Sequence, residues 1–385
     1  MSIWHKTSYY DEVCTHVLVI GTSKYTYLPD DITSDDEKLL GLTSVSTPAT
    51  SAYRFACWIK ESYNNSKAPL GSIRLLLAPS QKEIDNEPQL GQLNQPLPDS
   101  SNVEDALYAW QNDCLKFREG HCIVYIAGHG IRLSGDLGIV LLEDFGKPNR
   151  SILEGALDIG NIHQAMAQDS AAKNQFYFVD ACAIEPKLFA QYISAKTGIN
   201  LDIKRGESVE SSPIFFGAAP ETLALGKPGE GTLFIQVLLQ CLRSDAAKAD
   251  DQNNPKNWLV STLELFKQLQ KGVKELAMSY NETQSVVLGG ISSNTVFHES
   301  EDPPVITLTV SLSPQSAVQY AKYTLINLTT NEKFELFPFE SPYIDVVNPG
   351  VYRIEFDMTE DSHHSGKIVP AIIISPPRHD EEIVL

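Results

Sequence analysis

Basic residues are scarce in this chain. Thirty Lys and Arg stand against forty-nine Asp and Glu, for a formal net charge of −19. Proteins that coat nucleic acid or an anionic membrane need clustered basic side chains, so neither role fits this composition. The surplus of acid favours neutral or basic partners, and at the least keeps the protein soluble. Long apolar runs are also missing. No segment approaches the roughly 18–20 apolar residues of a membrane span. Met1–Tyr10 holds Trp4, His5, Lys6 and two tyrosines but no apolar stretch of the kind a secretory signal carries, and a cytoplasmic location is expected by default. The six cysteines, Cys14, Cys57, Cys114, Cys122, Cys182 and Cys241, include no CxxC pair. That scatter argues for free thiols and against a disulfide framework or a zinc site. A phosphate-binding loop is absent too. After the first β-like run the chain reads Gly21-Thr22-Ser23-Lys24, without the earlier glycine and five-residue cradle that a P-loop needs.

What remains is an ordinary globular composition, with 42% hydrophobic and 21% charged residues over 385 positions. A chain of that length is expected to form two domains. In the first 290 residues, short apolar runs alternate with helical patterns. The runs are His16–Gly21, Ser72–Ala78, Cys122–Ala127, Phe176–Asp180, Pro213–Gly217 and Ser285–Gly289. They are continuous rather than alternating, as in strands buried on both faces. Between them, Ser51–Tyr63, Val103–Phe117, Gly231–Leu242 and Leu259–Met278 carry helical periodicity. This order predicts an α/β domain over residues 1–298, with a mostly parallel sheet flanked by helices. Two polar stretches, Pro79–Ser101 and Ser194–Ser212, read as long loops.

Past Ser300 the texture changes. Pro303 and Pro304 mark a break, and alternating runs separated by turn residues follow: Val305–Leu312, Lys322–Asn327, Lys333–Phe337, Tyr343–Val347, Gly350–Phe356 and Ile368–Ser375. Residues 299–385 are therefore expected to form an all-β sandwich. Its His363–His364 pair reads as an exposed loop, since two adjacent histidines alone lack metal-ligand geometry.

Parallel α/β sheets place their chemistry beyond the carboxyl ends of their strands. The third run empties into Gly128-His129-Gly130 and the fourth into Asp180-Ala181-Cys182. Taken alone, a His between glycines is more often a turn, and a lone Cys is more often a buried hydrophobe. Together they place a potential base and a potential nucleophile at equivalent strand ends. The His lies 53 residues upstream of the Cys, close to the interval of about 50 found in caspases.

The segments Tyr125–Gly130 (YIAGHG) and Phe178–Ala183 (FVDACA) resemble the His and Cys motifs of the caspase, metacaspase and paracaspase clan. Leu18–Tyr25 (LVIGTSKY) resembles the first strand of bacterial members. Pro213–Ala219 followed by Gly231-Thr232-Leu233-Phe234 resembles the small-subunit strand and helix. The resemblance implies a caspase-like fold and a cysteine endopeptidase acting on protein or peptide substrates. His129 would be the general base and Cys182 the nucleophile, with the backbone N–H groups of Gly130 and Cys182 as the oxyanion hole. Asp180, two residues before the nucleophile, matches the metacaspase position that holds a basic residue before the scissile bond (P1).

The chain departs from metacaspases in two places. It reads Ala183-Ile184-Glu185 after the Cys, where they have His-Ser-Gly. It has Thr50-Ser51 where their Asn-Asp pair supplies a second pocket carboxylate. Caspase-like zymogens are often cut between the nucleophile and the small-subunit strand, which makes Lys204 and Arg205 the expected self-cleavage positions. No cofactor or metal is expected. Calcium activation, known for some metacaspases, rests on the resemblance alone, because the acidic run Asp30–Glu37 lacks EF-hand spacing and reads as a solvated loop. A role in cell death or antiviral defence, and a regulatory protein bound at the sandwich, are likewise implied only by the family. The competing expectation is a catalytically silent scaffold that binds partners through the sandwich.

Overall fold

The structure is a computed structural model. It describes residues 3–29, 42–134, 137–168, 172–181, 197–203, 209–219, 225–227, 229–251, 256–291, 293–360 and 362–385. These residues form two compact units, Met1–Leu239 with Ser261–His298, and Gln240–Val260 with Glu299–Leu385.

In chain order, the first unit contains β1 (His5–Lys6), β2 (Thr15–Thr22), α1 (Pro48–Ser62), β3 (Leu70–Ala78), α2 (Gln81–Asn86), α3 (Gln89–Gln92) and α4 (Ser100–Cys114). It continues with β4 (His121–Gly128), β5 (Gly130–Ser134), β6 (Leu137–Leu141), β7 (Ala156–Asp158), α5 (Ile159–Gln168), β8 (Asn174–Ala181) and β9 (Ser212–Phe216). The short pair β10 (Gly226–Lys227) and β11 (Gly231–Thr232) precedes α6 (Leu233–Gln240). Helix α7 (Thr262–Ser279) and an edge strand, Val287–Ile291, follow later in the chain.

The central sheet has seven strands in the order β1-β3-β2-β4-β8-β9 and Val287–Ile291. The five inner strands run parallel and the two edge strands antiparallel. Strands β2, β3 and β4 are buried along their whole length, which explains why their sequences are continuous apolar runs.

Successive side chains point to opposite faces of a strand, so each face can be followed by alternate residues. One face presents Val124, Ile126, Tyr177 and Val179 to Val103, Leu107 and Trp110 of α4 and to Ile159, Ile162 and Met166 of α5. The other is aromatic. Phe55 of α1 stacks on Tyr125 at 4.6 Å between ring centroids and lies 5.5 Å from Phe178, which stacks on Phe215 at 5.0 Å. Asp180 shares the parity of Phe178, and therefore belongs to this aromatic face.

Two departures from the sequence reading concern local signals. Pro79–Ser101 contains α2 and α3 as well as loop. Helix α2 begins at a complete capping box, with Ser80 and Glu83 exchanging hydrogen bonds. Glu83 is fully buried, and its second oxygen accepts from the Thr50 N–H in the first turn of α1. One carboxylate thus fixes two helix starts. The strand-like start of α7 was also missed, since Trp258–Ser261 is a strand that pairs antiparallel with Ala247–Ala249. That segment groups with the second unit, whereas the sequence reading put it within residues 1–298.

The second unit is a sandwich of a three-stranded and a four-stranded sheet. Ile306, Leu308 and Val310 from the first sheet share one core with Tyr323, Leu325, Ile354 and Phe356 from the second. The last strand, His379–Val384, joins the first sheet parallel to Ile306–Ser313. The HDEEIV run lacks the apolar alternation that would have announced it.

Candidate active site

The site lies at the carboxyl ends of β4 and β8. In their parallel register Gly128 is level with Ala181, and neighbouring strands are roughly 4.8 Å apart. His129 follows Gly128 directly at this strand end, and Ala181 is the last described residue of β8. Cys182 itself lies outside the described residues, as do Lys204 and Arg205.

His129 is half-buried and held at three points. Its backbone N–H donates to the Tyr25 hydroxyl at 2.8 Å. Its carbonyl accepts from the Leu141 N–H at 2.9 Å. Its ring contacts the carbonyl oxygen of Thr43 through Nε2 at 2.7 Å. A carbonyl oxygen can only accept, so Nε2 carries the proton and Nδ1 keeps the lone pair. The tautomer is thus set by a backbone atom. Burial holds the imidazole pKa below its usual value, and the Thr43 hydrogen bond opposes that shift. A neutral imidazole whose Nδ1 has no hydrogen-bond partner among the described residues is a competent base near neutral pH.

Tyr25 supports this arrangement from below. It is buried, and its ring centroid lies 5.1 Å from that of His129. The same hydroxyl explains Gly128, because a Cβ there would fall 2.9 Å from the Tyr25 oxygen and 3.3 Å from the Thr22 carbonyl. Tyr25→Phe keeps the ring but leaves the His129 N–H without its acceptor, at a cost of about 1–3 kcal/mol. Any peptidase activity should drop about tenfold in kcat with little change in KM, as steady-state kinetics would show.

Gly130 opens β5, which pairs antiparallel with β6. His129–Leu141 is a hydrogen-bonded position, so the next pair, Gly130–Val140, is of the non-hydrogen-bonded kind. The Gly130 N–H consequently points away from β6.

Asp180 is only 1% exposed. Its Oδ2 accepts from the Tyr125 hydroxyl at 2.6 Å and from the Thr232 hydroxyl. Thr232 in turn donates its N–H to Ser51 Oγ at 2.9 Å, and Ser51 donates to the Thr47 carbonyl at 2.9 Å. Oδ1 is buried and has no partner among the described residues. Burial dominates this carboxyl and pushes its pKa up to about 6, although the Thr232 and Tyr125 hydrogen bonds pull the other way. Ser51, aligned by sequence with the metacaspase pocket carboxylate, does reach the Asp180 network, and it brings no charge there.

The sequence reading missed Tyr25, Thr43, Tyr125 and Thr232 as site residues. Three of them lie inside motifs it had already singled out. Thr43 contributes only a carbonyl, which no side-chain pattern reports.

Five cysteines are described and none forms a disulfide. Burial pushes Cys14 up to about 11 and also raises Cys57 and Cys114, so none of these three is a thiolate at neutral pH. Among the described residues there is no cluster of potential metal ligands. No described helix is long and apolar enough to cross a membrane.

Residues 84–296 match the family model of the peptidase C14 caspase domain, which covers more than half of the chain. The chain belongs to this family of cysteine peptidases. It is 26% identical over 184 residues to the uncharacterized protein y4kE of Sinorhizobium fredii, a match spanning 48% of this chain and 52% of the relative. The chain thus spans about half the length of the curated relative it matches. It is also similar to the crystal structure of caspase-1 from Spodoptera frugiperda, at a TM-score of 0.41 and 12% identity, covering 73% of this chain and 89% of that one.

Proposed function

We propose that the chain is a cysteine endopeptidase in which Cys182 attacks the scissile carbonyl and His129 moves the protons. The observation that supports this reading is the tautomer of His129, with Nε2 committed to the Thr43 carbonyl and Nδ1 without a partner among the described residues, at the strand end level with Ala181. Nδ1 takes the thiol proton and the thiolate adds to the carbonyl carbon. The oxyanion is held by the N–H groups of Gly130 and Cys182. Nδ1 then returns its proton to the leaving amine as the C–N bond breaks. Water hydrolyses the resulting thioester and releases the acid.

Asp180 supplies the negative charge of the pocket that receives P1, and the preferred P1 residues are Lys and Arg. Lys204 or Arg205 would then offer the enzyme a cleavage position within its own chain. Regulated proteolysis, in cell death or defence, is the setting that the family suggests, with the sandwich as the place for a regulator.

A panel of fluorogenic peptides differing only at P1, incubated with the protein and with Cys182→Ala, tests this reading. Cleavage after Lys or Arg by the unaltered protein alone is the expected result. Cleavage after aspartate would refute the basic pocket, and cleavage that survives Cys182→Ala would refute the nucleophile.

A further inference from the structure

We infer that the P1 site proposed at Asp180 is selective for lysine over arginine. The inference rests on the reading of the chain as a peptidase that cuts after basic residues, and concerns what one carboxylate can still accept.

Asp180 offers two oxygens in unequal states. Oδ2 receives two hydroxyl hydrogen bonds, from Tyr125 and Thr232. Each carboxylate oxygen has about two lone-pair sites, so Oδ2 is filled from within the protein. Oδ1 is buried with no partner among the described residues. A buried acceptor left open calls for a ligand or some other explanation. The position beside Oδ1 is a glycine, Gly217, where a Cβ would lie 3.3 Å from the oxygen and 3.1 Å from the Phe234 ring that packs there. No side chain from that position covers it.

A guanidinium binds a carboxylate best through two parallel N–H donors on two oxygens. With Oδ2 occupied that fork cannot form. Arginine could make a single hydrogen bond to Oδ1, leaving most of its five N–H donors to be desolvated without acceptors. The lysine ammonium is a compact charge that one strong acceptor suits. It needs neither a second oxygen nor a fixed plane. The partners of Oδ2 thus determine which base the pocket prefers.

Binding can test this without catalysis or activation. Full-length Cys182→Ala protein is titrated in a calorimeter with decapeptides identical except for Lys, Arg or norleucine at P1. The Kd for the Lys peptide should be at least about tenfold below that for Arg and about a hundredfold below that for norleucine. Tyr125→Phe, added to Cys182→Ala, keeps the ring stacked on Phe55 and frees one lone pair of Oδ2. It should bring the Lys and Arg affinities to within about threefold of each other. Thr232→Val addresses the same oxygen from the other side, should Tyr125→Phe fail to fold.

Arg binding as tightly as Lys, with both well ahead of norleucine, would overturn the lysine preference while leaving a basic pocket standing. Norleucine binding as tightly as Lys would overturn the basic pocket itself. A Lys-to-Arg ratio unmoved by both substitutions would overturn the assignment to the Oδ2 hydrogen bonds.

Discussion

His129→Ala should lower kcat on a Lys-P1 peptide by about 10³-fold or more at neutral pH. Proton transfer by a positioned side chain is commonly worth about 10²–10⁴-fold. A cysteine thiol without a base is only a few per cent thiolate at pH 7. The loss should shrink as pH rises, because the thiol then ionises unaided near its ordinary pKa of about 8.5. The alanine variant would therefore climb towards pH 9 where the unaltered enzyme is flat. Cys182→Ala should leave only background hydrolysis, and the double variant should be no slower than Cys182→Ala, since base and nucleophile act as one unit.

The acid limb has a definite direction. The imidazole must be neutral to act as a base, so activity falls as pH drops through its pKa, which burial places below 6.5. A pH profile of kcat whose acid limb lies above 6.5 would contradict that environment. A neutral-P1 substrate, if cleaved, isolates this limb from any titration of Asp180.

Much of the fold around this candidate site is legible in the sequence. The central strands are recognisable because burial on both faces removes polar alternation, and His129 and Cys182 stand out because both follow such runs. The glycines around His129 read from the sequence as a turn, but the sequence does not show that a Cβ at position 128 would meet the Tyr25 hydroxyl. Other features were illegible for physical reasons. The Asp180 network joins residues 51, 125, 180 and 232, which meet only after α1, β4, β8 and β11 are assembled. Hydroxyl side chains at such spacings match no local pattern. The hairpin of β5 and β6, which fixes the direction of the Gly130 N–H, depends on register, and register depends on partners that single-chain periodicity does not name. The capping box at Ser80 was a local signal in plain sight, hidden by the polar composition around it.

Asp180→Asn should produce two opposite effects, and together they separate a functional carboxylate from a structural one. Cleavage after basic residues should fall about 10²–10³-fold in kcat/KM, the loss expected when one member of a desolvated charge pair is removed. Stability should rise. Burial lifts the Asp180 pKa from 3.8 to about 6, so the folded protein binds this proton more readily than the unfolded chain does. Between about pH 4 and pH 6 the folded state therefore holds more protons, and stability falls as pH increases through that window. Above it the full penalty of a buried carboxylate applies, on the order of 3 kcal/mol for a shift of this size. Asparagine retains an oxygen for Tyr125 and Thr232 without the charge. At pH 8 its Tm should exceed that of the unaltered protein by a few degrees, the gain being reduced by the amide NH2 that takes the partnerless place of Oδ1. The advantage should disappear as pH is lowered from 6 to 4 in paired thermal melts. A carboxylate that destabilises its own fold at neutral pH would be offset by a cation that arrives later, the part proposed here for a substrate lysine. If Asp180→Asn instead melted lower than the unaltered protein at pH 8, the network would be a structural device and the pocket would lose its physical basis.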